Sequence, residues 1–241
     1  MKANLIIKIY FLVLILEIIG EIVFDFYKIP YLVYIFKPLL MPLLIYWYKR
    51  LDSEALRLMI YALVFSFLGD VFLMFLMQFP TKDSFFLAGL GSFLLTHVLY
   101  LYIFVKHTTI QKKAIFWRRP HLALPFILYG ASLLAFLAKE GNPSFIEMKI
   151  PVIVYASVIM LMVLAAIARF DKVNQKSFAW VLIGAFLFMF SDTLIALNNF
   201  TSLFEGNKYF AKIFIMSLYA GGQFLIVKGF VEQKNNTDVA G

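Results

Sequence analysis

Eight apolar segments, each close to the length of a membrane-spanning helix and separated by short polar connections, account for most of this sequence. They lie approximately at residues 5–24, 31–48, 56–77, 85–105, 121–138, 149–169, 177–198 and 208–231. An α-helix needs about 20 consecutive apolar residues to cross the hydrocarbon core of a bilayer. The pattern therefore predicts an all-α fold, a polytopic transmembrane helical bundle of about eight spans.

The composition agrees with a membrane protein and excludes a soluble domain. Of the 241 residues, 63% are hydrophobic and 15% are charged, and the mean hydropathy is +0.86. Eight spans leave no length for a second unit, so we expect one integral membrane domain over residues 1–241. The first span is expected to be retained, because Glu17 and Glu21 interrupt it and no small-residue cleavage site follows. The absence of cysteine excludes disulfides, thiolate metal sites and cysteine nucleophiles.

Basic residues are distributed unevenly between the two predicted sides of the membrane. Of the 22 Lys and Arg residues, fifteen fall on the side of the two termini and six on the other, with Lys37 set aside within a span. The positive-inside bias then places both termini in the cytoplasm. Because these residues are dispersed among loops, the net charge of +8 does not indicate a nucleic-acid partner.

The two halves of the chain match when one is shifted by 122 positions. This shift superposes Asp70 on Asp192 and Lys106 on Lys228 without a gap, and it aligns spans and basic turns although identities are few. The pattern favours a four-plus-four duplication with parallel halves, 1–115 and 116–235. The alternative is that evenly spaced spans align by chance.

Prolines and glycines predict local features of the helices. Pro38 and Pro42 in the second span, and Pro125 in the fifth, predict kinks or local unwinding. Glycines in the fourth and eighth spans favour close helix packing; they are Gly89, Gly91, Gly221 and Gly222.

Five ionisable residues fall inside predicted spans: Glu17, Lys37, Asp70, His97 and Asp192. Such residues are costly in lipid and usually face the interior of the bundle. At ~1.5 Å per residue, both aspartates lie roughly 10 Å below the outer boundary. Glu17, Lys37 and Tyr155 reach a similar level and His97 lies nearer the midplane, so these residues are expected to share one polar cavity. Two alternatives are that Lys37 only compensates the charge of a carboxylate, and that His97 makes a structural hydrogen bond.

Two buried carboxylates in different surroundings are suited to acid–base hydrolysis, with one protonated and the other ionised. The same pair could carry protons through a transporter. The sequence has no Gly-x-Ser-x-Gly elbow, Gly-rich phosphate loop or His-x-x-x-His metal helix, which removes support for serine hydrolases, nucleotidases and zinc proteases. A non-catalytic scaffold is disfavoured by the number of ionisable groups.

Over most of its length the sequence resembles the YhhN-like family of membrane proteins, which includes the lysoplasmalogenases. The resembling segments are Lys37-Pro38, Phe67-Leu68-Gly69-Asp70, Gly91-Ser92-Phe93 with His97 and Tyr100, Tyr155, Phe190-Ser191-Asp192, and Tyr219 with Gln223. The resemblance implies an eight-helix enzyme, with no cofactor obviously required and no metal ligand assigned, that hydrolyses the alkenyl ether bond of a lysoplasmalogen within the bilayer. The products would be a fatty aldehyde and a glycerophospho head group, glycerophosphoethanolamine or glycerophosphocholine. A bacterial cytoplasmic membrane is the expected location.

Hydrolysis of an alkenyl ether begins with protonation of the alkenyl carbon, and water then traps the oxocarbenium ion. The hypothesis from the sequence is that one of Asp70 and Asp192 donates the proton while the other, ionised, stabilises the cation and orients water. Supporting or substrate-binding roles fall to Lys37, His97, Tyr100, Tyr155 and Gln223. A proton-coupled transporter or a lipid-handling protein that uses the same aspartates is the alternative function.

Overall fold

The computed structural model describes residues 2–52, 56–78, 83–110, 113, 115–140 and 142–237. All of the regular secondary structure that it describes is helical, as the sequence predicts. The α-helices are α1 (Ala3–Tyr27), α2 (Tyr31–Phe36), α3 (Leu40–Leu51), α4 (Arg57–Gln78), α5 (Asp83–Lys106), α6 (Leu124–Lys139), α7 (Pro143–Glu147), α8 (Lys149–Ile167), α9 (Gln175–Phe200) and α10 (Lys208–Thr237).

Seven helical segments in the described part of the chain are long and apolar enough to cross a membrane. They are the α2–α3 segment, α4, α5, α6 with the turn before it, α8, α9 and α10. The remaining long helix, α1, has 25 residues. It packs beside α10, where the Tyr10 hydroxyl donates a hydrogen bond of 2.8 Å to the carbonyl of Ala220. With α1, the architecture is the polytopic bundle of about eight spans that the sequence predicts.

Prolines shape two of the spans in different ways. The second span is broken at Pro38, where a 3-10 turn of Lys37–Leu39 separates α2 from α3. Because proline has no amide hydrogen, it interrupts the hydrogen-bond ladder of a helix interior. Pro125 instead lies in the first turn of α6, where that hydrogen is not needed, and the helix continues to Lys139. The predicted unwinding therefore occurs at Pro38, whereas the fifth span begins with a 3-10 turn at Pro120–Ala123.

The two termini lie at the same end of the bundle. Lys212, near the start of α10, lies 3.4 Å from Asp25, near the end of α1, so these helices are antiparallel. At the opposite end of α10, Lys234 pairs with Asp52, which follows α3. We call the end with the termini the terminal face and the other the distal face. Assignment of the terminal face to the cytoplasm stays a prediction, and two lysines used for it, Lys82 and Lys112, lie outside the described residues.

The most extensively packed helix pairs are α9 with α10 and α4 with α5, which correspond under the shift of 122 positions. Gly184 of α9 and Gly222 of α10 bring two backbones together, because a Cβ atom at Gly184 would lie 2.7 Å from the Gly222 carbonyl oxygen. Gly89 is similarly close to α4, at 2.9 Å from a leucine. Gly91 has nothing within 4 Å and Gly221 has an ordinary contact at 3.7 Å, so close packing was wrongly predicted for these two.

Candidate active site

Asp192 of α9 is held by two side chains from other helices. Its Oδ2 atom accepts a hydrogen bond of 2.5 Å from the Tyr155 hydroxyl of α8. The same oxygen lies 2.8 Å from Nε2 of His97 on α5, and that nitrogen is 2.9 Å from the Tyr155 oxygen. Because Oδ2 carries no hydrogen in a carboxylate or in an acid protonated on Oδ1, the arrangement requires Nε2 of His97 to carry a hydrogen. We call these three residues the Asp192 centre.

His97 is fixed in a fully buried position. Its ring packs edge-on against Phe188 of α9, with centroids 4.6 Å apart, and against Tyr155 at 5.2 Å. Its second nitrogen, Nδ1, has no hydrogen-bond partner among the described atoms. The imidazole is thus oriented by ring packing and by the Asp192–Tyr155 pair, which is the geometry of a group that positions a carboxylate.

Two apolar cavities meet at the Asp192 centre. Each has a volume of about 50 Å³, and both are lined by Tyr155 and Asp192. The first lies among α4, α5, α8 and α9, with Phe86 and Phe93 in its wall. The second lies among α6, α8 and α9, with Tyr129 in its wall. Asp192 is thus a carboxyl group at the junction of two small cavities whose walls are mostly apolar.

Asp70 of α4 has a separate partner and a different environment. Its Oδ2 atom accepts a hydrogen bond of 2.8 Å from the Tyr219 hydroxyl of α10, and the residue is 2% exposed. The neighbouring Gly69 leaves space for the ring of Phe93, since a Cβ atom there would lie 2.6 Å from a ring carbon. We call Asp70 and Tyr219 the Asp70 centre.

A layer of aromatic rings lies between the two centres. The Tyr219 ring packs edge-on against Phe93 at 5.6 Å and against Phe188 at 5.4 Å. Phe188 in turn contacts His97, and Phe93 lines the first apolar cavity. The two aspartates thus have separate hydrogen-bond partners. In the described part of the chain they do not share the single polar cavity that the sequence predicted.

The shift that relates the halves also relates these hydrogen bonds. It superposes His97 on Tyr219 as well as Asp70 on Asp192. The aspartate of each half is bonded to the aromatic residue of the other, namely Asp70 to Tyr219 and Asp192 to His97. A parallel duplication with a pseudo-twofold axis would produce such a reciprocal exchange, and the four-plus-four repeat stays a prediction. Tyr219 appeared in the sequence only as part of a resemblance, and this spacing is the signal that could have identified its role.

Lys37 lies at the distal face in a cluster of charges. Its Nζ atom is 3.6 Å from Glu21 of α1, and Lys212 of α10 lies 3.1 Å from the other oxygen of Glu21. Lys212 also pairs with Asp25. We call Glu21, Asp25, Lys37 and Lys212 the distal cluster. This ion pair agrees with the alternative that Lys37 compensates the charge of a carboxylate, although the sequence did not identify Glu21 as the partner.

Glu17 lies next to this cluster on α1. Its residue exposure is 0%, and neither carboxyl oxygen has a hydrogen-bond partner among the residues that the structure describes. Residues four apart share one face of a helix. Glu17 and Glu21 thus present two carboxyl groups on the face of α1 that is buried in the bundle.

Tyr100 and Gln223, two of the predicted supporting residues, are bonded to each other. The Tyr100 hydroxyl donates to Oε1 of Gln223, and Nε2 of Gln223 donates to Ser66 at 2.7 Å. Ser66 is 3.1 Å from Thr96. This chain of hydrogen bonds joins α4, α5 and α10 and satisfies buried polar groups, so the structure gives these residues a connecting position between helices.

The described part of the chain contains no group of three or more His, Cys, Asp or Glu residues arranged to bind a metal ion. The groups of the Asp192 centre that could ligate a metal are one carboxyl group, one imidazole and one phenol, and they are hydrogen-bonded to one another. The site as it stands is a hydrogen-bonded carboxyl group in an apolar setting.

A family model for the YhhN family matches residues 32–230, which is most of the chain. The chain belongs to the YhhN family. The YhhN match includes both aspartate centres and the Tyr100–Gln223 pair, whereas Glu17, Glu21 and Asp25 precede it. A search of curated proteins and a search of solved structures gave no significant match. The family assignment is consistent with a hydrolase of the lysoplasmalogenase type.

Proposed function

We propose that this YhhN-family protein is a membrane hydrolase that cleaves the alkenyl ether bond of lysoplasmalogen-type lysophospholipids. The observation that carries the proposal is the carboxyl group of Asp192, held by His97 and Tyr155 where two apolar cavities meet. A single-chain lipid has one long hydrocarbon tail with a polar ether bond at its end. The apolar walls suit the tail, and the carboxyl group suits the acid-sensitive bond.

In the proposed reaction, Asp192 in its acid form transfers a proton from Oδ1 to the outer carbon of the alkenyl double bond. The electron pair of that double bond forms the new C–H bond, and the carbon attached to the ether oxygen becomes an oxocarbenium centre. The carboxylate left behind stabilises this cation. His97 and Tyr155 keep their hydrogen bonds to Oδ2, so the carboxylate is oriented throughout.

The second half of the reaction consumes one water molecule. Water attacks the oxocarbenium carbon and gives its proton to the Asp192 carboxylate, which restores the acid form. The resulting hemiacetal separates into a fatty aldehyde and the free hydroxyl of the glycerophospho head group. One carboxyl group thus acts first as acid and then as base.

Asp70 is assigned a positioning role in this proposal. Its hydrogen bond orients the Tyr219 hydroxyl, and the Tyr219 ring packs against Phe93, which lines the cavity beside Asp192. Asp70 therefore acts on the shape of the substrate cavity through two rings. The hypothesis of two carboxylates at the reacting bond is the competing assignment, and substitution of Asp70 distinguishes the two.

The proposal is tested with purified protein and three lysophospholipids that carry ester, alkyl ether or alkenyl ether chains. Fatty aldehyde should be released from the alkenyl ether alone, and Asp192→Asn should prevent its release. In heavy water the aldehyde, trapped by immediate reduction, should carry one deuterium at the carbon next to the former carbonyl. Release of fatty acid from the ester lipid, or aldehyde without deuterium, would contradict the mechanism. A pH-coupled lipid flux in proteoliposomes without hydrolysis would favour the transporter alternative.

A further inference from the structure

The distal cluster borders a third cavity, which is polar at one end. Its volume is about 140 Å³, and its lining includes Glu21, Lys37 and Lys212 together with Asn198 and Asn199 of α9. The side chains of Glu21 and Lys37 are 5% and 11% exposed. The Oδ1 atom of Asn198 is buried without a hydrogen-bond partner among the described atoms. Buried charges and an unpaired amide oxygen around one cavity provide several polar contacts for a ligand.

This polar cavity adjoins the apolar cavity at Asp192. Leu73 and Ile195 line both of them. The side chains of Leu73 and Ile195 are therefore a wall common to the charged cavity near the distal face and the apolar cavity that holds the Asp192 carboxyl group. Together the two cavities are complementary to an amphipathic molecule that has a charged end, a short polar connection and a hydrocarbon tail.

The spacing along α9 agrees with the dimensions of the proposed substrate. Asp192 and Asn198 are six residues apart, which corresponds to about 9 Å along a helix that rises ~1.5 Å per residue. In a lysophospholipid, about five single bonds separate the ether oxygen from phosphorus, or roughly 6 Å at ordinary bond lengths. The flexible side chain of Lys212 can span the difference. An ether bond beside Asp192 thus places the phosphate within reach of the distal cluster.

The charges of the cluster favour one class of head group. Two ammonium groups, on Lys37 and Lys212, share the carboxylate of Glu21, and Asp25 and Glu17 add two more acids. In a zwitterionic head group the phosphate needs cationic partners, and the amine needs anionic partners. A zwitterionic head group supplies both charges and leaves the balance of the cluster unchanged. An anionic head group would add a negative charge to a cluster of two acids and two bases and would supply no cation for Glu21 and Asp25.

We propose that the distal cluster binds the zwitterionic phosphoethanolamine or phosphocholine head group of the substrate, with Lys212 and Lys37 on the phosphate and Glu21 and Asp25 on the amine. The lipid then lies with its head group toward the distal face and its tail in the apolar cavities. This inference rests on the proposed function for the position of the ether bond. The presence of the charged cavity does not depend on the proposed reaction.

The experiment measures binding without chemistry, using saturated alkyl ether lipids that cannot be cleaved. Full-length protein is loaded with a fluorescent alkyl lysophosphoethanolamine, which is displaced by unlabelled alkyl lysophosphoethanolamine, by alkylglycerol phosphate, by alkylglycerol or by soluble phosphoethanolamine. The zwitterionic lipid should bind about tenfold more tightly than alkylglycerol and more tightly than the phosphate lipid. Soluble phosphoethanolamine should compete weakly because it has no tail, and equal competition by it would overturn a lipid site.

Lys212→Gln provides the decisive variant, and Lys208→Gln is its matched control. Lys208 is an exposed lysine one turn earlier on the same helix. Lys212→Gln should weaken binding of the zwitterionic lipid about tenfold and leave alkylglycerol unchanged, which also shows that the cavity is folded. Lys212→Arg should restore binding, and Lys208→Gln should have no effect. Equal binding of the zwitterionic lipid to Lys212→Gln and wild type would overturn the inference.

Kinetics separate this inference from the proposed function. With alkenyl lysophosphoethanolamine, Lys212→Gln should raise KM and leave kcat unchanged, because the head group contributes binding and takes no part in proton transfer. Aldehyde release with a KM unaffected by Lys212→Gln would refute the head-group site while hydrolysis stands. Head-group-dependent binding without aldehyde release would refute hydrolysis while the head-group site stands.

Discussion

Asp70 and Asp192 occupy corresponding positions of the two halves, yet their surroundings differ. Asp192 accepts hydrogen bonds from two side chains and borders two cavities. Asp70 is 2% exposed and bonded to Tyr219, behind the ring of Phe93. A carboxyl group that is enclosed by other side chains contributes to the packing of the helices, whereas a carboxyl group beside a cavity can meet a bound molecule. Two carboxyl groups at matching positions of the sequence thus lie in settings that suit the different roles proposed for them.

The largest effect is expected for Asp192→Asn. The amide cannot donate a proton to carbon or accept one from water, and general acid–base catalysis contributes about 10²–10⁴-fold to a rate. We expect kcat for aldehyde release to fall about 10³-fold. The measurement is aldehyde formation by purified protein, with melting temperature as the control for folding. A rate within tenfold of wild type would remove Asp192 from the reaction.

The next largest effects are expected for the residues that hold Asp192. His97→Gln removes the ring that packs on Phe188 and should lower kcat about 100-fold, within the range of a lost catalytic-site contact. Tyr155→Phe removes one of two donors and should lower kcat about tenfold, since the His97 bond remains. Steady-state kinetics on one alkenyl lysolipid will rank them. A larger loss in Tyr155→Phe than in His97→Gln would make the tyrosine the principal partner.

A smaller effect is expected for Asp70→Asn. The Tyr219 hydroxyl can still donate to the amide oxygen of asparagine, so the packing of Tyr219 on Phe93 should persist. We expect kcat to fall about tenfold or less, which is a loss of ~1.4 kcal/mol or less in transition-state stabilisation. If Asp70→Asn instead equals Asp192→Asn in its effect, both carboxyl groups act at the reacting bond, as the two-carboxylate hypothesis holds.

The positions of the spans could be predicted from the sequence because hydropathy is a local property. The segment at 31–48 corresponds to a helical segment at Tyr31–Leu51, and 177–198 corresponds to Gln175–Phe200. The break at Pro38 was also predictable, since the missing amide hydrogen is a property of that residue alone. The effect of Pro125 was not predictable in the same way, because it depends on where the helix begins. Hydropathy does not define that position to within one turn.

The partners of the site residues could not be predicted, because they depend on which helices are neighbours. Lys37 was expected to share one polar cavity with the two aspartates, yet its ion pair is with Glu21 on α1. Depth in the membrane gives one coordinate of a side chain and leaves its direction around the helix axis open. The pairing of His97 with Asp192 becomes predictable only once the shift of 122 positions is combined with the packing of α5, α8 and α9.

Tyr219→Phe is expected to have the smallest effect on activity. Its effect on stability should nevertheless be larger than that of Tyr155→Phe. Tyr219→Phe removes a donor from the buried Asp70 carboxyl group, and an unsatisfied buried polar group costs about 1–3 kcal/mol. Tyr155→Phe leaves Asp192 bonded to His97, so its cost should be lower. Thermal unfolding in one detergent should therefore give Tyr219→Phe the lower melting temperature, although its kcat stays within about threefold of wild type. Equal melting temperatures would mean that Asp70 finds another donor, and the contrast between the centres would then rest on cavity access alone.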